Sequence, residues 1–360
     1  MKFFFFTFMM TFTLDAFAAS PNYQVSFELA ELGIKAFIDK SDPKHVEQYI
    51  QHKDMQRAFR RYTDSRRPPE NRVSEQTFRN FLQKISSGQF ESIQSERMKG
   101  VATQWRWGLK NKSAIEQDIK YLKSQMRTWL TELTQVIPWK SGAVKDPGTP
   151  IHIVFLFDPG GSYPWVMQEK SAKYIYIDVL QLRGLNDDER NQGFNETMFK
   201  GFMIHEIFHI FQDDKNSSLA PSTWVMKTAV GEGSAMLFGN NAQDSKGRKL
   251  FTSTKIYLSG SAKLEWDTRI KKNAGRIKDF MELVRGWELS PPKESEVFKI
   301  LTEQNWVSSP KNKLLFGDVY RVGAEMLLDI KYALGDRAFY EVLADSSLLM
   351  KKYQQIKKVN

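Results

Sequence analysis

Residues 201–213 read GFMIHEIFHIFQD, and they constrain the fold more than any other stretch, because a helix this apolar must be buried while carrying two histidines and a glutamate. His205 and His209 stand four apart, on one helix face, with Glu206 directly after the first. Burying three such groups among Phe, Met and Ile without partners costs on the order of several kcal/mol. Zinc removes that cost. Both imidazoles can bind one ion at about 2.0–2.1 Å, and Glu206, rotated by roughly a quarter turn, can reach a water there without being a ligand. The H-E-x-x-H spacing therefore supplies two ligands and a base, and leaves a third protein ligand to be found.

Asp213 continues the same face, but two turns separate it from His205, roughly 12 Å along the axis, so the three cannot share one metal. Its expected role is to orient an imidazole from behind. The elongated motif with a third histidine is excluded, since Gln212 and Lys215 occupy the positions where it needs Gly and His. The next helical stretch offers VGEGSA, with Glu232 between Gly231 and Gly233. Glycine inside a helix costs about 1 kcal/mol relative to alanine, so a flanking pair implies that bulk is forbidden, with close approach to the histidine helix as the natural reason. The alternative is a helix that frays at Gly231 and leaves Glu232 on the surface.

The rest of the chain places this motif in context. Residues 23–136 carry apolar residues three and four apart, as in HVEQYIQHKDMQRAFRRY and AIEQDIKYLKSQMRTWLTELTQVI, and predict helices broken at RRPPEN, residues 66–71, with Ser74 as an N-cap. His45 and His52 fall here without a second ligand on the same face, which predicts surface or packing roles. After SGAVKDPGTP the character changes. IHIVFLF and KYIYIDVL are β-branched and aromatic runs that predict strands, with His152 at the start of the first as a structural residue. Asn195 then caps the histidine helix, APSTW opens the Glu232 helix, and residues beyond Gly260 return to helical periodicity. The expected fold class is α+β and predominantly helical: a zincin-like core with a small mixed sheet, the histidine helix and a Glu-bearing helix, flanked by helical regions. The expected divisions are 1–18, 19–145, 146–260 and 261–360.

Residues 1–18 have one lysine, an apolar run and the small-residue pattern Ala16-Phe17-Ala18, which predicts a secretory signal peptide cleaved near Ala18. No later run of about 18 apolar residues predicts a membrane span. The 360-residue chain has no cysteine, so it holds no disulfide and draws its stability from packing and metal. Export without disulfides predicts a bacterial periplasmic or secreted protein. The formal charge of +10 favours acidic partners such as an anionic envelope polymer. Nucleic acid is not expected as a partner, because the basic clusters lack the interleaved aromatics of a stacking platform.

HEIFH followed by GEGSA on a second helix resembles the gluzincin clan of zinc metallopeptidases, which includes thermolysin and the zinc aminopeptidases. More narrowly, it resembles poorly characterised bacterial families assigned to zinc-dependent peptidases. The clan resemblance covers roughly residues 151–241. It implies His205, His209 and Glu232 as ligands of one zinc ion, Glu206 as general base, and KYIYIDVL as an edge strand for an extended peptide substrate. By analogy with a tyrosine of related enzymes it also implies Tyr320 as a stabiliser of the oxyanion, with a purely structural core tyrosine as the alternative. The chain departs from the thermolysin type at Met236, where those enzymes carry an aspartate, and shows no aminopeptidase motif for a free amino terminus. The expected activity is hydrolysis of peptide bonds. A zinc amidase acting on cell-wall amides and a non-catalytic, zinc-stabilised envelope binding protein are the alternatives.

Overall fold

The computed structural model describes residues 21–39, 42–64, 72–93, 95–135, 137, 144–161, 164–184, 186–212, 214–216, 218, 220–251, 258–308 and 314–359. The expected leader at 1–18, the break at 66–71 and Asp213 lie outside the described residues.

Four short strands form one mixed sheet in the order β1-β2-β4-β3, where β1 is Tyr23–Ser26, β2 Ile151–Leu156, β3 Trp165–Gln168 and β4 Lys173–Asp178. β1, β2 and β4 run parallel, and β3 pairs antiparallel with β4 from Trp165 opposite Tyr176 to Gln168 opposite Lys173. The two apolar runs read as strands are the interior pair, and both are almost wholly buried, as strands flanked on both sides should be. Two expectations are overturned here. Residues 23–26 form a strand, not the start of a helix, and KYIYIDVL is not the edge, because β3 covers it.

The N-terminal helices pack around this sheet. They are α1 (Glu28–Gly33), continued by a π-helical turn at Ile34–Ile38, then α2 (Pro43–Gln51), α3 (Lys53–Tyr62), α4 (Glu75–Ser86), α5 (Glu96–Lys110) and α6 (Lys112–Thr134). The run HVEQYIQHKDMQRAFRRY is two helices instead of one. His52 turns extended between them, and its Nδ1 accepts from the Asp54 N–H to cap α3. Ser74 caps α4 by accepting from the Thr77 N–H. Tyr49 ties the helical region to the end of β2: its hydroxyl donates to the Phe157 carbonyl at 2.8 Å and accepts from the Phe157 N–H at 2.9 Å.

After the sheet come α7 (Asp187–Asn191), α8 (Glu196–Phe211), α9 (Pro221–Asn240), α10 (Gly260–Ile270), α11 (Asn273–Leu289), α12 (Glu294–Glu303), α13 (Asp318–Ala344) and α14 (Leu348–Val359). α13 is buried on nearly every side from Val319 to Ile330, its charged stripe Arg321, Glu325 and Asp329 included, and Gly335, with φ of 84°, kinks it beyond that point. α9 crosses it closely. A β-carbon on Gly233 would lie 2.5 Å from the Ala324 nitrogen. Among the described residues, no helix is long and apolar enough to cross a membrane.

Candidate metal centre

α8 is positioned from its first residue. The Asn195 side chain accepts from the Met198 N–H, and Met203, Ile204, Ile207, Phe208 and Phe211 bury the helix between the sheet, α6 and α9. The polar stripe that remains carries His205, Glu206 and His209. α9 lies against it so closely that a β-carbon on Gly239 would meet the His205 nitrogen at 2.8 Å. That crossing brings in Glu232. α9 is continuous through Gly231 and Gly233, so the frayed alternative does not hold.

Three donor atoms meet. His205 Nε2 lies 3.1 Å from His209 Nε2 and 3.2 Å from Glu232 Oε2, and His209 Nε2 lies 3.3 Å from the same Glu232 oxygen. Among the described residues this is the one cluster of histidine and carboxylate donors suited to hold a metal. Bonds of about 2.0–2.1 Å in a tetrahedron put neighbouring ligand atoms roughly 3.3–3.4 Å apart, so the triangle has the size that zinc demands. Two imidazoles and a carboxylate are also donors that zinc accepts, and three protein ligands leave a fourth position open. The Glu232 and His209 side chains are 24% and 21% exposed, so that open side is reachable.

The charges around the cluster are strongly coupled. Burial pushes the Glu206 carboxyl up, His205, His209 and Arg61 pull it down, and the neighbouring Glu232 charge raises it, with a net upward shift. At Glu232 burial acts upward too, but the charges and hydrogen bonds of His209 and His205 outweigh it and hold the carboxylate ionised. For His209 burial favours the neutral ring, and the Glu232 charge and hydrogen bond reverse this, with further help from Glu206 and Gln212.

Tyr320, in the first turn of α13, reaches the same place. Its ring stacks on His205 with centroids 6.1 Å apart, and its hydroxyl feels the charges of Glu232 and Glu206. Burial and the charges of Glu232 and Glu206 keep that phenol protonated far above its usual range. His152 stands apart from the centre and stacks on Tyr174 at 5.0 Å.

One supporting residue escaped the sequence reading. The Gln212 side chain acts on the His209 ring and favours its protonated form, its Nε2 donates to Ser234 Oγ at 3.3 Å, and that hydroxyl donates to the Gly231 carbonyl at 3.0 Å. The glycines also act differently from expectation. Gly233 makes room for α13, Gly231 has only an ordinary contact with Gln212 at 3.5 Å, and Gly239 is the one pressed against the histidine helix.

A predominantly helical α+β protein with a His-His-Glu centre shared by two crossing helices is, by fold and site, a zinc protein. The chain belongs to the family described as Putative zinc dependent peptidase (DUF5700), which it matches over residues 44–360. No curated protein and no solved structure matches it.

Proposed function

We propose that the protein is an exported zinc metallopeptidase of gluzincin type, with His205, His209 and Glu232 as ligands of one zinc and Glu206 as general base. The observation that carries this reading is the convergence of three donor atoms within 3.1–3.3 Å, with Glu206 on the same stripe of α8 and its carboxyl shifted upward. Zinc held there supplies Lewis acidity, lowering the pKa of a water toward about 7 and polarising the scissile carbonyl. Glu206 takes the water's proton as the oxygen adds to the carbonyl carbon, and returns it to the amine nitrogen as the C–N bond breaks. A base with a raised pKa suits both transfers. Tyr320, kept protonated beside Glu232, is the donor for the tetrahedral oxyanion.

β3 supports the substrate side of this reading. It is an edge strand lying along α8, and Gln168 Nε2 donates to the His209 carbonyl at 3.3 Å, so an extended peptide added to β3 would pass the metal centre. The apolar run and Ala-x-Ala pattern of residues 1–18 support export to the periplasm or medium. Residues 146–260 are the zinc-bearing core in this reading, with 19–145 and 261–360 flanking it and β1 completing its sheet.

Glu206→Gln tests the chemistry. The variant is expected to keep its zinc and lose about 10²–10⁴-fold in kcat on peptides, and unchanged hydrolysis would remove Glu206 from the mechanism. Running peptidoglycan fragments beside unstructured peptides distinguishes a peptidase from a cell-wall amidase.

A further inference from the structure

Away from the metal centre, α2, α4, α5 and the π-helical turn at Ile34–Ile38 enclose a cavity of about 360 Å³ that opens to the surface. Pockets that take small molecules have this size, roughly 300–1,000 Å³. Phe37, Ile50 and Trp105 are buried in its wall, which the partly buried Val46 and Leu82 continue. The wall is held in place by its neighbours. The Phe37 and Trp105 ring centres lie 4.9 Å apart, and Trp105 packs further against Phe81 at 5.6 Å and Phe157 at 5.5 Å. An apolar surface fixed in this way needs little ordering when a ligand arrives, so more of the burial energy appears as affinity. Phe37 is supplied by the π-helical turn, a rare geometry that occurs mostly at functional sites.

The charges at the cavity select the ligand. Its lining carries two charged side chains, Arg79 and Asp42. Arg79 is already taken up by two carboxylates, Glu47 at 2.8 and 3.0 Å and Glu75 at 2.8 and 2.9 Å, so these three groups leave one negative charge between them. Asp42 adds a second, and its Oδ1 accepts from the Lys44 N–H at 2.8 Å to cap α2. The cavity is thus acidic in a chain of formal charge +10. A fatty acid or a phosphate would meet carboxylates there and a guanidinium that is spent. An amine on an apolar body meets the opposite: its body leaves water for the wall, and its charge faces Asp42 and the Glu47–Arg79–Glu75 group.

We propose that this cavity binds a small organic cation, an amine or guanidinium carried on an apolar body. The site uses no residue of the metal centre and stands whether or not the protein is a peptidase. Three probes of one shape test it: phenylbutylamine, phenylbutanol and phenylbutyrate, each titrated into the full chain and followed by ligand-observed NMR. The amine is expected to bind with a Kd on the order of 0.1–1 mM, about 2–5-fold tighter than the alcohol, with the carboxylate weakest. Asp42→Asn retains a capping side chain on α2 and should shrink the amine's advantage while leaving the alcohol unchanged. Leu82→Trp and, separately, Val46→Phe fill the cavity, and each should weaken the amine and the alcohol about tenfold or more. Circular dichroism shows which of the two filled variants is folded and so carries the comparison. No binding of the amine, binding that survives filling of the cavity, or a carboxylate that binds as tightly as the amine would overturn the proposal.

Discussion

The Gln212 side chain acts on the His209 ring and is itself anchored to Ser234 Oγ at 3.3 Å, and polar neighbours of this kind fix the tautomer and ring plane of a metal-binding imidazole. Gln212→Leu leaves His205, His209 and Glu232 unchanged, yet it is expected to weaken zinc binding about 10–100-fold in competition with a chromogenic chelator. Undiminished affinity would mean that helix packing alone orients the imidazole. The histidines and Glu206 are legible in the sequence because one helix enforces their relation: a four-residue spacing has a single meaning as long as the helix continues. That logic stops where the helix stops. α8 ends at Phe211, Gln212 turns extended with φ of −67° and ψ of 121°, and it pairs there with Val144, so helical spacing no longer says which side chain returns to His209. Tyr320 came into view only through resemblance, and Arg61 only as part of a basic pair whose place beside Glu206 nothing in the sequence marks. Both approach from elements far away in sequence, with no local pattern to announce them.

Between elements, the closest approaches in the core are made by glycines, and the two beside Glu232 do different work. A β-carbon on Gly233 would press the Ala324 nitrogen at 2.5 Å, whereas one on Gly231 meets nothing nearer than Gln212 at 3.5 Å. Gly233→Ala should therefore destabilise the protein by about 1–3 kcal/mol through overpacking against α13. Gly231→Ala should be neutral or stabilising by about 0.4–1 kcal/mol, since it removes freedom from the unfolded chain at no steric cost. Thermal unfolding of the pair reads the contrast, and equal losses would contradict this account of the α9–α13 crossing. Helices and interior strands were legible because apolar periodicity is local. β1 was not: its four residues run into the helical pattern that follows, and its partner β2 lies far along the chain. β3 was hidden for a similar reason, since WVMQ is too short for alternation to show and follows a loop rich in Gly and Pro.

Across the whole molecule, polar clusters bind the segments that carry the site to those that surround it. Asp329 of α13 accepts from Lys246 at 2.7 Å, from Arg248 at 2.5 Å and from the Tyr353 hydroxyl of α14 at 3.2 Å, so one carboxylate joins the segment after α9 to both helices. Burial pushes that carboxyl up, but the bonds from Lys246 and Arg248 outweigh it and leave it below its usual range. A carboxylate depressed in the folded state stabilises above its unfolded value of about 3.9, and the stabilisation is lost as pH falls through the folded value. Asp329→Asn should thus cost about 1–3 kcal/mol at neutral pH. Its difference from the native protein in denaturant unfolding should close below about pH 4, and a difference that stays constant with pH would place the effect in packing instead of charge. The overall class, helical with a small mixed sheet, was legible from composition and periodicity. The order of the sheet was not, because pairing between distant strands leaves no mark on either one. The direct test of the meeting of α8 and α9 is the zinc bound per chain by the purified protein and by its Glu232→Ala variant. About one zinc in the native protein, lost from the variant under the same chelator competition, is the predicted result. A native chain that takes up no zinc on reconstitution, or a variant that holds it as tightly, would contradict the His205–His209–Glu232 centre.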